Sequence, residues 1–223
     1  MKKIIFILLF ILFYCFVYSA IEVGPVTITA GTAQTFTFSY SYTATNGILI
    51  VSVFIKEPYL DKVLNIKFGN LSLTTTASKI SIIENLIRNE LWYIIDPTVG
   101  KNDIVVELTA TTTVICIAFQ LDNIDTNNPF YYETSMVGKN VTEMNIDIQQ
   151  ITQGLMLGIG ASYSDAFAYV LPTQTELFNY LYNGMRAQAV YGFSTETGNI
   201  TIPNYLNKNS TWTTLFFSIK AAQ

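Results

Sequence analysis

Histidine is absent from this chain of 223 residues. Without it there is no Ser/His/Asp triad, no Cys/His pair and no histidine metal site, so the commonest nucleophilic and zinc chemistries lack their residues. Cysteine is almost absent. Of the two present, Cys15 falls in an apolar N-terminal run and Cys116 stands alone in the body, which leaves no partner for an intrachain disulfide. Charged residues make up only 13% of the chain. Setting aside Lys2 and Lys3 as part of a leader reduces the 12 basic residues to 10, against 16 acidic ones, a net charge of −6. That balance offers nucleic-acid phosphates no basic face. Uncharged Thr, Asn, Ser and Tyr must cover the surface, which suits acid or a glycosylated coat. Helical periodicity is scarce, and no internal repeat, low-complexity tract or linker divides the chain.

What is present begins with Lys2-Lys3, an unbroken apolar run from Ile4 to Val17, and small residues near Ser19 and Ala20. This pattern predicts a cleaved signal peptide over residues 1–19 and an extracellular or cell-surface protein. An uncleaved membrane anchor is the competing reading of the same run. Residues 20–34 read as an extended N-terminal segment and 35–223 as a single β domain.

Strand signals follow one another along the body. Phe36, Phe38, Tyr40 and Tyr42 alternate with Thr37, Ser39 and Ser41, the period of a half-buried strand. Gly47 to Lys56 is dense enough for a strand buried on both faces. Val63 to Phe68 leads into a Gly69-Asn70 turn before Leu71 and Leu73. Further strands are expected at Glu90 to Ile95, Asp103 to Leu108, Val114 to Leu121, Met144 to Ile148, Leu155 to Tyr163, Met185 to Phe193, Asn199 to Ile202 and Trp212 to Lys220. Ile80 to Leu91 is the one amphipathic helix candidate, weakened by Asn85 and Asn89. Trp92 and Tyr93 should point to opposite faces of their strand. Short strands at this spacing predict an all-β fold, an antiparallel two-sheet β-sandwich of jelly-roll type.

The succession Val63-Leu64-Asn65-Ile66-Lys67-Phe68-Gly69, Glu90-Leu91-Trp92-Tyr93, Pro97 with Gly100, and Asn128-Pro129 resembles a group of secreted and phage-associated β-sandwich domains. The resemblance spans Gly47 to Pro129 and implies surface attachment or carbohydrate contact. A looser resemblance, in leader, β body and scarcity of Cys and His, is to exported archaeal filament subunits of the thread type.

Candidate chemistry is thin. Glu57 with Asp61, Asp103 with Glu107, and Asp122 with Asp125 are the carboxylate pairs that glycoside hydrolysis would need, and solvated strand ends explain each. The oxygen-rich run from Asp122 to Asn128 makes Asp122 and Asp125 calcium candidates, with a plain Asx turn as the alternative. Cys116 sits in a continuous apolar stretch and reads as a small core residue. No cofactor is implied. Asn70, Asn140, Asn199 and Asn209 each open an N-glycosylation sequon. Aromatics crowd the last third, where Tyr180, Tyr182, Arg186 and Trp212, with Asn183, could form a glycan-binding platform, or else serve as core and cross-strand packing.

Ile21 to Thr29 alternates like a strand and precedes a small-residue hinge, Ala30 to Ala33. It can pair within its own sandwich or add to the open edge of a neighbouring copy. The expected protein is therefore non-enzymatic, a structural or adhesive surface subunit polymerising by strand donation. Its partners would be other copies of itself or surface glycans, with no nucleic acid. A carbohydrate-binding domain and a virion surface protein are the alternatives.

Overall fold

The computed structural model describes residues 20–56, 62–76, 79–83, 86–164, 166 and 173–222. Every element among them is a strand: β1 (Glu22–Val23), β2 (Thr27–Tyr42), β3 (Ile48–Lys56), β4 (Val63–Phe68), β5 (Leu71–Ser72), β6 (Ile80–Ile83), β7 (Ile87–Ile95), β8 (Gly100–Asp122), β9 (Phe130–Gln150), β10 (Leu155–Ser162), β11 (Thr175–Tyr182), β12 (Met185–Phe193) and β13 (Gly198–Ile219). All pairings are antiparallel, as the strand rhythm predicts. The leader, Glu57 and Asp61 lie outside the described residues.

In the first sheet the order is β5-β4-β8-β3-β7-β6, and β1 and β2 run along the other side of β8. The long strand β8 organises it. Its second half pairs with β3 through Thr113 to Leu121, and its first half pairs with β4 through Ile104 to Leu108. Along the opposite side β2 follows β8 for its whole length but breaks register between Ala33 and Thr35. There the strand bends hard: a Cβ on Gly31 would lie 3.1 Å from the ring of Phe36. The bend curls the sheet into a half-barrel. Leu73 N–H donates to Ile66 O at 2.8 Å, and Thr74 exchanges two backbone bonds with Tyr93, at 2.8 and 2.9 Å, which bridges the curl from β4 to β7.

The period of two in β3 then has two cores to serve. Leu49, Val51, Val53 and Ile55 face the inside of the curl with Val114, Cys116 and Ala118. Ile48, Ile50 and Phe54 face the second sheet. Trp92 packs toward the first of these cores, while Tyr93 meets Phe130 of the second sheet edge-on at 5.0 Å. The helix candidate at Ile80 to Leu91 is instead the hairpin β6–β7, with Ile80 opposite Glu90 and Ile83 opposite Ile87. Its β-branched isoleucines fit a pleated surface better than a helix.

The second sheet has the order β11-β12-β10-β13-β9, and it repeats the first. Matching β2, β3, β6, β7 and β8 to β9, β10, β11, β12 and β13 turns the order β2-β8-β3-β7-β6 into β9-β13-β10-β12-β11. Registers agree as well: Ile48 faces Leu121 and Ile95 where Leu155 faces Ile219 and Phe193. Gly31 faces Val114 where Gly138 faces Trp212. Both long pairs break register in mid-strand, the second between Tyr205 and Ser210. The chain thus carries a repeat of topology that its sequence does not display. Strands up to β8 fill one sheet and strands from β9 fill the other, so successive strands do not alternate between these two layers.

The halves join through one apolar layer in which Phe54, Leu91, Ile117 and Phe119 meet Leu157, Ile159, Leu215 and Phe217. Two polar staples cross it. Asn89, fully buried, donates to Ile159 O at 3.0 Å and accepts from Ser52 Oγ at 3.2 Å. Thr213 Oγ1 donates to Ser81 Oγ. At the rim, buried Lys79 pairs with Glu133 and lies 4.3 Å from the centre of the Phe130 ring. Asn89, Thr213 and Lys79 each have a partner in the opposite half, so the stapling fixes one registration of the layer.

The N-terminal segment pairs with its own chain. Glu22 faces Asp122, Val23 faces Leu121, and Thr27 to Ala33 face Ala118 to Thr112, with Ile21 buried in the shared layer. The expected hinge at Ala30 to Ala33 is continuous strand, and the irregularity falls just after it, at Gln34.

Candidate functional site

On the face of the second sheet turned away from the first, β10, β12 and β13 contribute Gly158, Gly160 and Ser162, then Arg186, Gln188 and Val190, then Trp212, Thr214 and Phe216. Leu206 joins them, and together they line a cavity of about 50 Å³. The equivalent positions in the first half are Val51, Val53 and Ile55, then Arg88, Glu90 and Trp92, then Val114, Cys116 and Ala118. Of those residues Val51, Val53, Ile55, Val114, Cys116 and Ala118 are fully buried in the core of the curl, and Trp92 packs against it. Bulk has moved across the strand pair: a Cβ on Gly158 would lie 2.5 Å from the Phe216 ring, so glycine there makes room for the phenylalanine. Gly138 does the same for Trp212, with a Cβ only 2.3 Å from the indole.

The polar groups around this cavity are mostly spent. Ser162 Oγ donates to Ala166 O at 2.6 Å, and Thr214 Oγ1 donates to Ile159 O at 3.1 Å. Arg186 donates to Asn179 Oδ1, and both Asn179 and Gln188 donate to Glu176. Trp212 is only 4% exposed and its Nε1 meets no acceptor. The other tryptophan differs: Trp92 Nε1 donates to Glu90 Oε2 at 2.9 Å, and the same buried carboxylate accepts from Val63 N–H and pairs with Arg88.

The four residues expected to form one aromatic platform are split by the sheet. Tyr180 faces Ala187 and Tyr182 faces Met185, both on the side of the shared layer, whereas Arg186 and Trp212 lie on the opposite side. Tyr180 is 37% exposed, Tyr182 packs against the shared layer and Trp212 is enclosed. Asn183 sits in the β11–β12 turn, where its carbonyl accepts from Lys56 Nζ at 2.7 Å.

Asp103 and Glu107 lie four residues apart on one strand, about 13 Å at strand rise, against the roughly 5–9.5 Å of a glycosidase pair. Asp103 accepts from Ser39 Oγ at 2.7 Å. Asp122 Oδ1 caps Asn123 N–H at 2.8 Å and reaches the amides of Thr45 and Asn46. Asp125 makes an Asx turn to Asn127 and Asn128 and bonds Lys220 Nζ at 2.6 Å. Those bonds, led by Lys220, hold its carboxyl below the usual range. Among the described residues no group of three or more Asp, Glu or Cys could hold a metal.

Cys116 is fully buried, and burial pushes its thiol far above the ordinary value. All four sequon asparagines are exposed: Asn70 in the β4–β5 turn, Asn140 and Asn209 at the bend of the β9–β13 pair, and Asn199 beside a groove lined by Tyr132 and Asp147. The sequence reading missed the two cavity glycines. Their signal was the pattern Leu157-Gly158-Ile159-Gly160, since alternate glycines in a strand mark close approach on one face. No family model, no curated protein and no solved structure matches the chain.

Proposed function

We propose that this chain is an exported structural subunit built of two jelly rolls in tandem, which assembles at the cell surface by exchanging its N-terminal strand. The pairing order supports the jelly-roll reading. With β2 and β8 each divided at the bend, the first half has eight main segments: β2 in two parts, β3, β4, β5, β7, and β8 in two parts. The first, eighth, third and sixth lie side by side, and so do the second, seventh, fourth and fifth, the order of a jelly roll.

The observation that carries the assembly reading is the state of the segment from Glu22 to Ala33. Its ladder is made with β8, Pro25 O also accepts from Tyr40 Oη at 2.9 Å, Ile21 beside it is buried in the shared layer, and it ends at the register break after Ala33. Its equivalent in the second half, the start of β9, is tied into the chain at both ends. The same segment of a second copy, taking the place of this edge strand, would make the same ladder and bury the same isoleucine.

The test is the assembly state of the mature protein, read by light scattering and electron microscopy. Assemblies that resist denaturant are expected. A variant lacking residues 20–33 should lose them and bind a synthetic 20–33 peptide. A full-length protein that stays monomeric at high concentration overturns the reading.

A further inference from the structure

We propose that the cavity of the second half binds a small neutral amide, either the acetamido substituent of an amino sugar or a free short amide, with Trp212 Nε1 donating to its carbonyl. This inference does not rest on the assembly reading.

The comparison of the two halves singles out the place. At matched positions the first half puts Val53, Ile55 and Val114 into its core, and the second has Gly160, Ser162 and Trp212 around open space. A single water needs roughly 10–15 Å³ of such space, so about 50 Å³ takes several non-hydrogen atoms.

The chemistry of the wall selects the occupant. Trp212 is enclosed, yet its N–H has no acceptor, and buried donors are rarely left so. An acceptor on a guest would complete it. The Ser162 and Thr214 hydroxyls have given their protons to Ala166 O and Ile159 O, so each offers lone pairs. Those lone pairs suit a guest that also donates. Phe216, Val190 and Leu206 supply apolar surface for a methyl-sized end. Arg186 and Glu176 are linked through Asn179 at the rim, and Gln188 also donates to Glu176, so the two charges offset one another and the guest is neutral. A carbonyl, an N–H and a methyl group together are an acetamide.

The experiment uses the full mature chain labelled with nitrogen-15, whose two tryptophans give two indole N–H signals. N-acetylglucosamine, acetamide and glucose are each titrated in. The Trp212 signal should shift in a saturable manner with at least one amide and not with glucose, while the Trp92 signal stays in place. A shift with N-acetylglucosamine identifies the amino sugar, and a shift with acetamide alone identifies the free short amide. Trp212→Phe should remove the signal and abolish saturation transfer to the guest methyl in a variant that still unfolds cooperatively, at some cost in stability from the smaller ring. If that variant fails to fold, Thr214→Val tests the same cavity through its lost lone pairs. No shift of the Trp212 signal with either amide, or an equal shift with glucose, overturns the proposal.

Discussion

Phe216 and Gly158 should behave as one unit in a double-mutant cycle. Phe216 is buried, and a Cβ at position 158 would intrude to 2.5 Å from its ring. Gly158→Val alone therefore overpacks the site and should cost about 1–3 kcal/mol, even though valine suits a strand. Phe216→Ala alone removes six buried carbons; at about 0.8 kcal/mol each this approaches 5 kcal/mol, the upper end of the usual Phe→Ala range. The double variant recreates the pair that the first half carries at the matched positions, Val51 and Ala118. It loses a net three carbons and relieves the clash, so it should cost only about 2–3 kcal/mol. The coupling is then about 3–6 kcal/mol in the restoring direction, at or above the top of the range for residues in contact. Urea unfolding of the four proteins, with unchanged m values, measures it. Additive costs would refute both the packing argument and the matching of the halves on which it rests.

Two other outcomes follow from the buried thiol and the displaced carboxyl of Asp125. Cys116 should be silent to an aromatic disulfide reagent in the native, leader-free protein and react once per chain after unfolding, and Cys116→Ala should cost on the order of 1–3 kcal/mol in stability; rapid native labelling would contradict its enclosure. Asp125 is held below the usual carboxylate value by Lys220, so its bond contributes stability above about pH 4 that is lost as pH falls through the lower folded value. Carbon-detected titration should find that carboxyl below the ordinary range, and Asp125→Asn should flatten this part of the acid profile; a value at or above about 4 would contradict the pairing.

Much of the first half was legible because its cues are local. The density of Gly47 to Lys56 predicts burial on both faces, and β3 serves two cores. Gly69 takes positive φ at the expected turn. Trp92 and Tyr93 part to opposite faces, as period two requires. The repeat was not legible, because equivalent positions conserve pairing and packed volume without conserving residue type. Val51 with Ala118 does the work of Gly158 with Phe216 by shifting bulk from one strand to its neighbour, and such a swap erases sequence likeness while leaving the layer intact. The run from Phe130 to Met136 is part of the edge strand β9, yet no strand is expected there, since its apolar and polar residues fall in blocks and do not alternate.

The candidate site failed to show for a related reason. A count of rings near the C-terminus says nothing about which side of a sheet each ring takes, and that side is set by register with the neighbouring strand. One residue decides it: Tyr180 opposite Ala187 points toward the first half, and Leu181 opposite Arg186 points away. Platform residues chosen by proximity in sequence therefore fall on both sides. The alternation of Gly158 and Gly160 carries more information than the aromatics do, because glycine at every second strand position strips one face of side chains over a defined length. Whatever occupies that face must come from elsewhere in the fold. Phe216 and Thr214 come from the adjacent strand and cover the glycines, and Trp212 on the same strand leaves its unpaired indole donor in the wall of the space beside them.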